Sequence, residues 1–220
     1  MAETGSRERI LGSVRRSLDA AGVRAASAAA IDAEYAAIPR TYAQGSTLSA
    51  HDLLELFVER LVDYDAGVYR IAEDAIAETV AEVLTRRGKH GMAIPKGLPE
   101  RWLPQGFVFG EADVFTADEL DRVEGILSGC TAGIAETGSI VLQNAAAQGP
   151  RILSLVPDYH LCVVYANQVV ATVPEAFARL EATSTLPTTF ISGPSATADI
   201  EMTRIKGVHG PRFLDVVLVV

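Results

Sequence analysis

Only two cysteines occur in the 220 residues, Cys130 and Cys162. They form no CxxC and no four-cysteine cluster, so the chain by itself is expected to hold neither zinc nor an iron–sulfur centre. Each lies in or beside an apolar segment, as buried free thiols of a reducing cytoplasm do. GxGxxG, a Walker loop, HExxH and a nucleophile elbow are all missing, which removes the usual dinucleotide, phosphate-loop, zinc-protease and α/β-hydrolase chemistries. There is no basic run, and 19 Lys and Arg stand against 28 Asp and Glu, a net charge of −9. Nucleic acid is therefore excluded as the main partner. No apolar stretch approaches the ~20 residues of a membrane span. The first ten residues carry no apolar signal-peptide core. These absences together predict a soluble cytoplasmic protein with no bound metal.

What is present suits one well-buried α/β domain: 49% apolar and 21% charged residues. Ile10, Leu11, Val14 and Leu18 recur at helical spacing among four arginines, so residues 7 to 20 are expected to form an amphipathic helix. Residues 20 to 47 are Ala-rich, broken by Pro39 and Gly45, and read as a tether. The boundaries are then 1–47 for helix and tether and 48–220 for the domain. Ser49 caps a helix to about 64, and residues 74 to 87 form another, closed by Gly88. Thr116 starts a single helical turn, and Pro174 suits the first turn of a helix over 175–181. Strands are expected at 67–71, 92–94, 107–109, 169–173, 188–191 and 216–220. This strand–helix rhythm is the α/β pattern. Residues 196 to 202 are expected to form a short helix.

Chemistry concentrates in residues 131 to 164. Two apolar segments flank the polar turn Glu136-Thr137-Gly138 and read as a hairpin, with Gly138 supplying the positive φ. Arg151 and His160 bracket a further apolar segment broken by Pro157. An acid, a base and a cation are thus expected at the ends of neighbouring strands, although a hairpin with solvated turn residues accounts for the same pattern. Ser192-Gly193-Pro194-Ser195 follows a strand, where backbone N–H groups and the Ser195 and Thr197 hydroxyls suit a carboxylate or phosphate. Lys206-Gly207-Val208-His209-Gly210-Pro211-Arg212 is a glycine-punctuated loop with three basic side chains, in which His209 is a candidate general acid or base, although an exposed loop histidine accounts for it equally.

The string Ile134-Ala-Glu136-Thr-Gly138-Ser-Ile-Val-Leu142, followed by Arg151-x-x-Ser154-Leu-x-Pro157-x-x-His160, resembles the signature of the LUD-domain family. Ser192-Gly193-Pro194-Ser195-Ala-Thr197-Ala198-Asp199-Ile200-Glu201, then Gly207-Val-His209-Gly210-Pro211, is similar to the same family. The likeness covers roughly residues 50 to 220, in a short form without an added cluster-binding domain. It implies a single three-layer α/β domain of the type shared by CoA transferases and sugar-phosphate isomerases, with an N-terminal helical extension. It also implies a part in oxidation of L-lactate to pyruvate, with the iron–sulfur centres confined to partner subunits and none in this chain. The ligand implied is a small carboxylate or other anion, or else the chain supports assembly of the complex. A stand-alone enzyme of the CoA-transferase or formyltetrahydrofolate cyclo-ligase type acting through Glu136, and a binding module without chemistry, are the alternatives.

The site expected from these motifs has Glu136, His160 and His209 as candidate catalytic groups. Thr137, Gly138, Arg151, Ser192, Gly193, Ser195 and Thr197 are the candidate binding groups. Glu136 has three open roles: nucleophile, as in the similar CoA transferases, general base, or contact to a partner. Glu136, Thr137, Arg151, His160, Ser195 and His209 are expected to converge on one pocket.

Overall fold

The structure, a computed structural model, describes residues 5–22, 26–42, 45–112, 115–198, 204–206 and 210–220, with only the backbone described at 197, 198 and 204–206. The chain falls into two compact units, Met1–Tyr42 and Ala43–Val220. In the first, α1 (Ser6–Ala20) leaves Ile10, Leu11, Val14 and Leu18 exposed. The expected tether differs: it contains a second helix, α2 (Ala28–Ala37), capped by the Ser27 hydroxyl on the Ala30 amide. Its alanines have high helix propensity but no apolar stripe, which is why a search for periodicity passes over it.

The second unit is α/β. Its large sheet is parallel throughout, in the order β1 (Gly67–Ile71), β12 (Phe213–Val219), β7 (Tyr159–Tyr165), β4 (Ile126–Ser128), β2 (Gly91–Ile94), β3 (Val108–Glu111). Side chains alternate across it. Tyr159, Leu161 and Val163 of β7 face α4 (Ile76–Arg87), meeting Val80, Val83 and Leu84. Cys162 and Val164 face the other way, onto Phe57 and Leu61 of α3 (Ala50–Asp63). With both faces covered, the central strands must be apolar nearly throughout, and they are. Burial of a ring such as Phe57 contributes about 1.5–3 kcal/mol.

The second sheet joins that layer, in the order β8 (Val169–Val170), β5 (Ala132–Ile134), β6 (Ser139–Gln143), β9 (Thr188–Ile191). The expected hairpin is present as the antiparallel pair β5–β6. Phe57 lies so close under Gly133 that a Cβ there would stand 2.7 Å from its ring. Ser49, Gly88 and Thr116 all cap as expected, Thr116 opening α5 (Ala117–Leu120). The strand expected over 169–173 stops at Val170, because the Thr172 hydroxyl caps α6 (Val173–Leu180) on the Glu175 amide. Residues 196–198 are not helical: they form β10 (Ala196–Ala198), antiparallel to β11 (Arg204–Lys206). The remainder of that expected helix lies outside the described residues. No helix among the described residues is long and apolar enough to cross a membrane.

Candidate functional site

Two glycine turns meet at the end of α3. Gly138, with φ 59°, sits against Arg60, where a Cβ would lie 2.8 Å from backbone. Gly193, with φ 81°, sits against Tyr64, where a Cβ would lie 2.5 Å from the Tyr64 Cβ. Positive φ and the lack of room both demand glycine. The two turns are tied by hydroxyls: Thr137 Oγ1 donates to Ser139 Oγ at 2.8 Å, and Ser139 and Ser192 share a hydrogen bond at 2.6 Å. Sequence-predicted Thr137, Gly138, Ser192 and Gly193 are thereby brought together.

Just beyond lies a cleft of about 370 Å³. Tyr64 and Asp65 from the end of α3, Arg87 from the end of α4, residues 194–196 and the pair Arg212–Phe213 line it. It opens at the amino-terminal edge of the large sheet, where β1 and β12 begin, although Ser192–Ser195 follows the carboxyl end of β9 in the small one. A single buried constellation shapes its wall. Asp215, fully buried in β12, receives Arg87 Nε on Oδ2 and Nη2 on Oδ1, both at 2.8 Å, and the Tyr159 hydroxyl on Oδ2 at 2.9 Å. This bidentate pairing is the strong geometry for guanidinium and carboxylate. It raises the Arg87 pKa, while burial, then Asp215, pushes the Tyr159 phenol far above its usual range. The Arg87 guanidinium also stands 5.3 Å from the Phe213 ring centre and 5.8 Å from that of Tyr159. At the mouth, Arg212 Nε donates to Asp158, holding that carboxyl below its usual range.

The remaining predicted residues are spread out. Glu136 is exposed on its turn, its amide bonded to the Ala171 carbonyl at 3.0 Å. Arg151 does not flank a strand: it opens a 3₁₀ turn, Arg151–Ser154, since Pro150 and the Leu153 contact to the core favour a tight turn over extension. It lines a small groove with Gln143 and Thr189, at the end of β6 away from Thr137. His160 is wholly buried in β7. Its Nε2 lies 2.7 Å from Ser128 Oγ, and Ser128 Oγ is 3.0 Å from the Gly129 carbonyl. If Ser128 gives its one proton to that carbonyl, Nε2–H donates to Ser128 and Nδ1 keeps a bare lone pair. Nδ1 has no partner among the described residues, and a bare lone pair costs less there than a stranded N–H. Beside it the Cys162 thiol is held below its usual pKa, by the neighbouring Cys130 thiol first and then by His160 and Ser128. Thr197 lies on β10, its side chain outside the description, and His209 falls outside the described residues. Among the six expected to converge, Ser195 alone of those described lines the cleft.

Arg87, Asp215 and Tyr159 escaped the reading of motifs, whereas Arg212 closes the glycine-punctuated loop read over 206–212, with no role assigned to it there. The available signal was the lone acid Asp215 inside the apolar run of β12. No group of three or more His, Cys, Asp or Glu among the described residues is placed to hold a metal.

The chain is similar to known proteins in sequence and in fold. Residues 54–219 match the LUD domain. A lactate utilization protein C of Deinococcus radiodurans is 39% identical over 181 residues, 81% of this chain and 84% of that protein. A lactate utilization protein C of Macrococcus caseolyticus is 28% identical over 179 residues, 74% of this chain and 76% of that one. A crystal structure of a DUF162 family protein from Deinococcus radiodurans superposes with a TM-score of 0.68 at 34% identity, covering 79% of this chain and 99% of the other.

Proposed function

Because the chain belongs to the LUD-domain family, we propose that it is a cytoplasmic component of an L-lactate utilisation system. The observation that carries this is the 39% identity to a protein named for lactate utilization, across 84% of that protein's length. In this reading L-lactate is oxidised to pyruvate with partner subunits that hold the iron–sulfur centres. This chain contributes a binding site for a small anion, formed by the cleft with Arg87, Ser195 and Arg212, and supports assembly of the complex. The fixed guanidinium of Arg87 supplies directed donors to an anionic group.

A second reading is favoured by Glu136, which is exposed on a turn held by the Ala171 carbonyl and the Thr137–Ser139–Ser192 hydroxyls. A carboxylate carried on a turn whose backbone is held in this way suits a CoA-transferase-like or formyltetrahydrofolate cyclo-ligase-like reaction through that residue.

Deletion of the gene tests the first reading. Growth on L-lactate should fail while growth on glucose continues, with rescue by the intact chain; unchanged growth on L-lactate would overturn it. Rescue by Glu136→Gln separates the two: full rescue removes the carboxylate chemistry, and failure by a folded, normally abundant variant supports it.

A further inference from the structure

The cleft offers two guanidinium edges, not one. Arg87 binds Asp215 side-on through Nε and one Nη2 proton. A guanidinium carries five N–H donors, so Nη1 and the second Nη2 proton form an outer edge, and no acceptor among the described residues meets it. Arg212 binds Asp158 through Nε, and among the described residues no acceptor meets its two Nη nitrogens. Each outer edge is a planar fork that fits a carboxylate or a phosphoryl group. Arg87 is held by its ion pair and by the rings of Tyr159 and Phe213, so its fork is fixed in place. Tyr64, Pro194 and Phe213 supply apolar wall on the same lining.

Size leaves room for more than a three-carbon acid. A three-carbon hydroxy acid has six heavy atoms, and even at the ~30 Å³ that each water takes in the liquid it fills only ~180 Å³. The cleft holds about 370 Å³. Net charge does not select the ligand, because Asp215 and Asp158 neutralise the two arginines and Asp65 adds a carboxylate to the lining. Directed donors do.

We infer that the ligand of this cleft is an organic dianion, with one anionic group on the outer edge of Arg87, the other on Arg212, and a short carbon body against Tyr64 and Phe213. This rests on the reading of the cleft as the ligand site and goes beyond it in excluding a lone monocarboxylate as the best-fitting occupant.

Calorimetric titration of the full chain with L-lactate, pyruvate, inorganic phosphate and the unbranched dicarboxylates from malonate to adipate tests it. One dicarboxylate length should bind at least about tenfold more tightly than lactate, about 1.4 kcal/mol. Arg212→Gln should lower that ligand to the affinity of lactate with only a small fall in the thermal transition, since the ion pair it removes is exposed. Arg87→Lys, which keeps the charge and loses the fork, should do the same with some loss of stability. Equal affinity for monocarboxylates and dicarboxylates, or no dependence on chain length, would overturn the two-anchor inference and leave the cleft as a site. Absence of binding by every anion would overturn both.

Discussion

Gly67 and Asp215 stand opposite each other across β1 and β12, and a methyl group on Gly67 would run into Asp215 Oδ1. The carboxylate can hold Arg87 and Tyr159 only because that position has no side chain. Gly67→Ala should therefore cost about 3 kcal/mol, the upper range for overpacking. Gly88→Ala is the control. Its φ of 63° is strained for alanine, but nothing lies within 4 Å, so the cost should be about 1–2 kcal/mol. Denaturant unfolding of the two variants checks the order; equal losses would show that Asp215 moves aside freely.

Ser128→Ala should destabilise the domain by about 1–3 kcal/mol, since it strands His160 Nε2 in the core beside an Nδ1 that already lacks a partner. The imidazole NMR signals of the variant should shift with it. A loss below ~0.5 kcal/mol, the range of ordinary surface changes, would mean that water enters the site.

Glu124 accepts the amides of His90 and Gly91, both at 2.5 Å, and these bonds hold its pKa below the usual value. A depressed folded pKa stabilises the fold fully above the unfolded value, about 4.3. That contribution disappears as pH falls through the lower, folded value. Glu124→Gln should cost about 1 kcal/mol at neutral pH, the loss of charge assistance to two hydrogen bonds. The gap to the parent should narrow below about pH 4. Melting temperatures of both proteins across acid pH check this, and a constant gap would contradict it.

Glu136→Gln should leave unfolding within about 0.5 kcal/mol of the parent, as for other exposed positions. A larger loss would make Glu136 a structural residue and void its use as a functional probe.

The parts of the fold legible in sequence are those set by neighbouring residues. Ser49, Gly88 and Thr116 announce helix ends because a cap needs only a few residues of chain. The β5–β6 hairpin is legible because Gly138 and its flanking apolar runs lie together. Helix α2 is hidden because its alanines carry propensity without periodicity. The strand β10 is hidden because its pairing with β11 follows a polar, Ser- and Thr-rich stretch that reads equally well as a capped helix. The site is legible only in part, for a different reason. Thr137, Gly138, Ser192 and Gly193 announce their turns, and α3 brings those turns together. Arg87, Tyr159 and Asp215 come from three distant segments, and Arg87 alone reads as a favourable charge at the end of a helix. His160 sits next to Tyr159, yet the pleat sends the two side chains to opposite faces of β7.

The order β1-β12-β7 has a consequence for how the protein is made. Among the described residues, the first strand of the domain has one neighbour in the sheet, and that neighbour is the strand furthest from it in sequence. During translation, β1 can emerge with α3 and α4 beside it and still lack the strand it must pair with. A nascent chain halted before Phe213 exposes one edge of β7 and leaves Arg87 with no carboxylate to receive it. Completion of the domain therefore waits for Phe213–Val219 to leave the ribosome, and until then the exposed strand edges are open to other chains.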